Sequence, residues 1–134
     1  MKLPKNAVVA VVDGETLNLF HNTGDESSPS LTALPDAAVS TKNKGSGNRH
    51  QSSSANPSNS QQDEDSFAAG VAAMLNKRVL DGQIDDLVVI AAPRTLGELR
   101  KHYHKSLKAT LADEIAKDLT GHSAKDIAKA IASA

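Results

Sequence analysis

The stretch Ala7-Val-Val-Ala-Val-Val-Asp-Gly-Glu-Thr-Leu-Asn-Leu-Phe20 decides how the chain begins to fold. Its first six residues are dense in β-branched side chains, which suit a pleated backbone and predict a strand buried on both faces. Asp13-Gly14 is a hairpin signal. Beyond it the residues alternate, with Leu17 and Leu19 on one face and Thr16, Asn18 and Phe20 on the other, as an antiparallel partner requires. The chain therefore opens with a hairpin. Turn-rich Asn22-Thr-Gly-Asp25 and Ser27-Ser-Pro-Ser30 follow, and a third strand is expected at 30–34 or at 37–40.

The second decisive stretch is Ile84-Asp-Asp-Leu-Val-Val-Ile-Ala-Ala92, which predicts another buried, central strand. Pro93-Arg-Thr-Leu-Gly-Glu98 then turns sharply into a helix, with Thr95 expected as N-cap and Glu98 completing a capping box. Between the two stretches a helix is expected from Asp63, with Phe67, Val71, Met74, Leu75 and Val79 on one apolar face and an end near Gly82. Leu107, Leu111, Ile115 and Leu119, four residues apart, predict an amphipathic helix over 104–119. Ser123 and Asp126 cap a last short helix carrying Ile127 and Ile131. The order β-β-(β)-loop-α-β-α-α-α implies an α/β layer fold with a mixed sheet.

Composition narrows the function classes. The chain has 134 residues, enough for one domain spanning 1–134. Its formal net charge is -1, so nothing draws it globally toward nucleic acid or an anionic membrane, and no DNA partner is expected. It has no cysteine, which excludes disulfides, thiolate catalysis and Cys-based zinc sites. The apolar run 7–12 is too short for a signal sequence or a membrane span, and a cytoplasmic protein is expected. Phe20, Phe67 and Tyr103 are its only aromatic rings, too few for a base-stacking platform. From 40 to 66, Ser, Asn and Gln dominate without a hydrophobic period, so residues 41–65 are expected to form a disordered loop.

The opening hairpin, Phe67-Ala-Ala, Leu75-Asn76, the segment Leu87-Val-Val-Ile-Ala-Ala-Pro-Arg-Thr-Leu-Gly-Glu-Leu-Arg100, His104 and Lys117-Asp-Leu-Thr-Gly-His122 together resemble the bacterial "protein required for attachment to host cells" family. That family is similar in turn to the middle domain of archaeal and eukaryotic class I release factors and of Pelota. The resemblance implies an RNase H-like α/β fold, with N-terminal antiparallel strands and a central strand packed by helices. It also implies that residues 41–62 occupy the place where release factors carry a Gly-Gly-Gln tripeptide, whose glutamine backbone positions the water that hydrolyses peptidyl-tRNA. Here the sequence reads Gly45-Ser-Gly-Asn-Arg-His-Gln51, without the glycine pair. Gln51 does not inherit a catalytic role.

Several candidate sites follow, each beside a plainer explanation. Lys44, Gly45, Gly47, Arg49 and Gln51 are candidates to approach a tRNA 3′ end, or they belong to a solvated insertion. Arg94 and Thr95 are candidates to hold phosphate or carboxylate at a helix N-terminus, or they make a tight turn and nothing more. Arg100, Lys101, His102, His104, Lys105 and Lys108 form a candidate phosphate-contacting patch, or a solvated helix face. His102 and His104 lie two apart and diverge on a helix, so no metal site is expected, nor any cofactor. A two-metal nuclease needs converging carboxylates, whereas Asp13, Asp85 and Asp86 have turn explanations. Nothing in the sequence demands an enzyme. The expectation is a non-catalytic cytoplasmic interaction protein with an indirect role in host attachment and an unknown protein partner. The alternative is a ribosome- or tRNA-associated release-factor-like protein, including a peptidyl-tRNA hydrolase.

Overall fold

The computed structural model describes residues 3–35 and 58–134. Strands β1 (Val8–Val12), β2 (Leu17–Asn22), β3 (Leu31–Ala33), β4 (Leu87–Ala91) and β5 (Leu111–Ile115) form one five-stranded sheet in the order β3-β2-β1-β4-β5. β1 to β3 are an antiparallel meander, and β4 and β5 run parallel to β1. The expected hairpin, mixed sheet and interior position of the second apolar stretch all hold. The third strand takes the earlier of its two expected positions; the alternative at 37–40 lies outside the described residues.

Strict alternation divides the core. Val8, Ala10, Val12, Leu19, Leu87, Val89 and Ala91 point to a front face, and Val9, Val11, Phe20, Val88 and Ile90 to a back face. Helices α1 (Ser58–Leu80), α2 (Pro93–Arg100) and α3 (Lys105–Thr110) cover the front through Ala68, Val71, Ala72, Leu75, Leu96, Leu99 and Leu107. Helix α4 (Ala124–Ser133) covers the back with Ile127 and Ile131, helped by Leu3. β1 and β4 are buried at every position, which is why both read as continuous apolar runs.

α1 begins five residues earlier than Asp63. Polar Ser58 to Gln62 propagate the helix although they contribute no apolar period, so the expected loop is helical from 58 onward, and its part over 41–57 lies outside the described residues. The C-terminus of α1 is as expected: Gly82 adopts φ 79°, and Gln83 N–H bonds Arg78 O at 2.8 Å.

Two expectations are overturned. α2 starts at Pro93, with Ala92 as N-cap and no side-chain cap, so Thr95 is inside the helix rather than capping it. Proline at the first helical position needs no N–H partner and is already held at helical φ, so it fixes the start. The helix expected over 104–119 is only the one turn and a half of α3, followed directly by strand β5. Without β5, strand β4 would be a sheet edge with unpaired backbone groups, and parallel pairing satisfies them.

Candidate functional site

Because β1, β3, β4 and β5 are mutually parallel, they finish at one end of the sheet, called here the upper end. The described chain stops at Pro35, just past β3, and resumes at Ser58 in α1. α2 also starts at the upper end, one residue after β4. It sets Arg94 in its first turn with an exposed side chain and Thr95 half-buried beside it. Without a side-chain cap, the first-turn N–H groups carry the partial positive charge of the helix terminus.

The upper end is not uniformly basic. α1 brings Glu64 close over the β1–β2 turn: a Cβ on Gly14 would stand 2.8 Å from the Glu64 carboxyl carbon. Asp63 and Asp65 flank it in sequence. Asp13 is absorbed by the turn itself, where Oδ1 accepts from Glu15 N (2.7 Å), Thr16 N (2.6 Å) and Thr16 Oγ1 (3.0 Å). Asp85 and Asp86 precede β4 at the opposite end, about 16 Å away for a five-residue strand. The three carboxylates considered for two-metal chemistry are not brought together. Among the described residues, no group of three or more His, Asp or Glu side chains could hold a metal ion.

The basic cluster is placed elsewhere and largely neutralised. α2 descends about 9 Å from Arg94 to its last residue, so Arg100, Lys101 and Lys105 sit toward the lower end, apart from Arg94 and Thr95. Arg100 donates to Glu114 Oε1 through Nε (3.0 Å) and Nη2 (2.8 Å). Lys101 pairs with Glu98 at 3.0 Å and His102 with the same carboxylate at 3.3 Å. The Lys101 ammonium, aided by His102, holds the Glu98 carboxyl below the usual carboxylate range despite the opposing cost of burial. Glu98 thus serves two basic neighbours instead of a capping box. Lys105 and Lys108 are exposed on α3. His104 is that helix's N-cap, its Nδ1 accepting from Ser106 N at 3.0 Å.

Gly45, Gly47, Arg49 and Gln51 lie outside the described residues. The predicted site residues that are described therefore fall into two groups, one at each end of α2. The connection between α2 and α3, residues 101–104, is an elbow whose Lys101, His102 and His104 sequence reasoning read only as part of a basic patch. Asn76 of α1 grips it, donating from Nδ2 to His102 O and accepting at Oδ1 from His104 N, both at 2.9 Å. In the sequence Asn76 stands out only as part of the Leu75-Asn76 resemblance, and nothing there assigns it this grip.

These features define an α/β protein built on a five-stranded mixed sheet, with a three-strand antiparallel meander and two further parallel strands. The chain belongs to the bacterial archaeo-eukaryotic release factor family 12, whose match spans residues 6–131 and so takes in every strand. A comparison with curated proteins finds no match. The release-factor side of the expected resemblance is thereby established, while the host-attachment label is not part of the match. No helix among the described residues is long and apolar enough to cross a membrane.

Proposed function

We propose that this protein is a cytoplasmic, ribosome- or tRNA-associated member of the release-factor-like family that docks without hydrolysing peptidyl-tRNA. The observation that carries this reading is the family match over 6–131. The sheet order β3-β2-β1-β4-β5 with β2 antiparallel supports an RNase H-like fold of the release-factor middle-domain kind, acting as one domain over 1–134. The segment joining β3 to α1 leaves and re-enters at the upper end, where Arg94 and Thr95 stand. It is the segment that resembles the Gly-Gly-Gln loop in position, and Gly45, Gly47, Arg49 and Gln51 are its proposed contacts. Arg94 and Thr95 would hold a phosphate beside them by charge-assisted and helix-terminus hydrogen bonds. Lys105 is a weaker candidate, and Arg100 and Lys101 weaker still, because each must leave a carboxylate to reach a new anion. The absence of Gly-Gly-Gln from the whole sequence supports docking over catalysis. An indirect role in host attachment has only the sequence resemblance behind it.

Co-sedimentation with ribosomes at low salt tests the reading. The intact protein is expected in the ribosomal fraction, and both Arg94→Glu and replacement of 42–57 by a short Gly/Ser linker are expected to reduce it there. That linker leaves α1 whole, since the helix starts at Ser58. Absence of the intact protein from ribosomal fractions overturns the association. Peptide release by the intact protein that disappears in Gln51→Ala overturns the non-hydrolytic part alone.

A further inference from the structure

Tyr103 occupies the middle of the α2–α3 elbow, and Glu114 stands on the edge strand β5, opposite Val89 of β4. Both N–H groups that Arg100 offers go to the same carboxylate oxygen, Oε1. Glu114 Oε2 is left buried and without a hydrogen bond, and so is the Tyr103 hydroxyl. A carboxylate oxygen and a phenol that are both buried and unpartnered are costly, and buried polar groups of folded proteins are almost always paired. A bridging water would need probe-sized room next to both atoms, yet each exposes less than 1 Å². Burial first, then the Glu114 charge and a side-chain hydrogen-bonding interaction with Glu114, raise the phenol pKa, so the two groups lie within reach of each other, and the pair matches a donor to a pure acceptor.

We propose that the Tyr103 hydroxyl donates its hydrogen directly to Glu114 Oε2, so that Arg100, Tyr103 and Glu114 form a latch closing the α2–α3 elbow onto the edge strand. The carboxylate is then satisfied on both oxygens. Burial and the neighbouring Glu114 charge push the phenol pKa up, which keeps its hydrogen in place for donation. The elbow is thereby gripped from two sides, by Asn76 of α1 and by Glu114 of β5.

The composition makes the latch directly observable, because Tyr103 is the single tyrosine and the chain has no tryptophan. The intact protein's tyrosine emission is expected to be quenched by the carboxylate acceptor and to recover in Glu114→Gln. Amide hydrogen exchange of 101–104 and 111–115 is expected to rise on the order of tenfold in Tyr103→Phe, the scale of one hydrogen bond to a charged group. The Tyr103→Phe, Glu114→Ala double variant should exchange little faster than Glu114→Ala alone, because both changes remove the phenol–carboxylate bond. Unquenched native emission, or unchanged exchange in Tyr103→Phe, overturns the proposal, as do strictly additive effects. Tyr103→Phe removes a single oxygen, so the exchange test stands even where the Glu114 variants do not fold.

Discussion

Asn22 is the one fully buried polar residue among those described, and it shows how a single side chain can tie three segments together. Its Nδ2 donates to Leu3 O (2.9 Å), with longer contacts to Pro4 O and Asp25 O, and its Oδ1 accepts from Gly24 N and Ser30 N at 2.9 Å each. The N-terminal segment that brings Leu3 into the back core thus hangs on the β2–β3 turn. Asn22→Ala leaves those carbonyls and amides without partners and is expected to destabilise the fold by about 2–4 kcal/mol, read as a lower denaturation midpoint with unchanged slope in urea. Tyr103 gives a second expectation at this scale, through pH. Its folded-state pKa is raised from 10.0, first by burial and then by the Glu114 charge. Below the unfolded value both states keep a neutral phenol, and the contribution to stability is fully present. Above about pH 10 the unfolded chain releases its proton while the folded phenol retains it, so stability falls by up to about 1.4 kcal/mol per pH unit. Thermal unfolding of the intact protein and Tyr103→Phe across this range isolates the effect: the extra alkaline loss should be missing from the variant.

Among elements, the elbow is where local sequence preference yields to tertiary structure. Asn76 holds it by two hydrogen bonds from α1, so Asn76→Ala is expected to cost about 1–3 kcal/mol and to raise amide exchange at 101–104. Asn76→Asp keeps the acceptor for His104 N but loses the donor to His102 O, and should fall between the two. The hairpin, β4, the apolar face of α1 and the capped α4 were legible because each has an unambiguous period or a local cap. The segment 104–119 was not, because a spacing of four is shared by helix and strand: Leu111 and Ile115 fit one helical face and equally fit one parity of a strand. In the structure they share neither. The irregularity opposite Leu87 and Val88 makes Ala112 an extra residue, so Leu111 packs into the front core and Ile115 into the back. A bulge has no signature in composition. It is also what turns Glu114 toward Arg100, so the latch was as hidden from the sequence as the strand that carries it. Thr95 failed as a cap for a different reason, since the pattern Thr-x-x-Glu is present but Pro93 starts the helix three residues earlier than that cap requires.

For the molecule as a whole, the arrangement of charge limits how the proposed association with ribosomes or tRNA could be made. The net charge of -1 gives no long-range attraction, and the six-residue basic cluster is discounted because Arg100, Lys101 and His102 are already paired with Glu114 and Glu98. At the upper end Arg94 is the exposed cation of α2, Glu64 stands over the β1–β2 turn, and the joining segment adds only Lys42, Lys44 and Arg49. Binding through that end can neutralise at most these four phosphate-contacting groups. The logarithm of its affinity for tRNA or ribosomes should therefore fall with the logarithm of salt concentration with a slope no steeper than about -3, taking roughly 0.7 ions released per contact. Arg94→Ala should make that slope shallower by about one contact, whereas Lys105→Ala should leave it unchanged. A titration from low to physiological salt, with the intact protein and both variants, decides between the two ends of α2. A slope steeper than about -4, or one that Lys105→Ala reduces, would move the RNA contact from the upper end to the exposed lysines of α3.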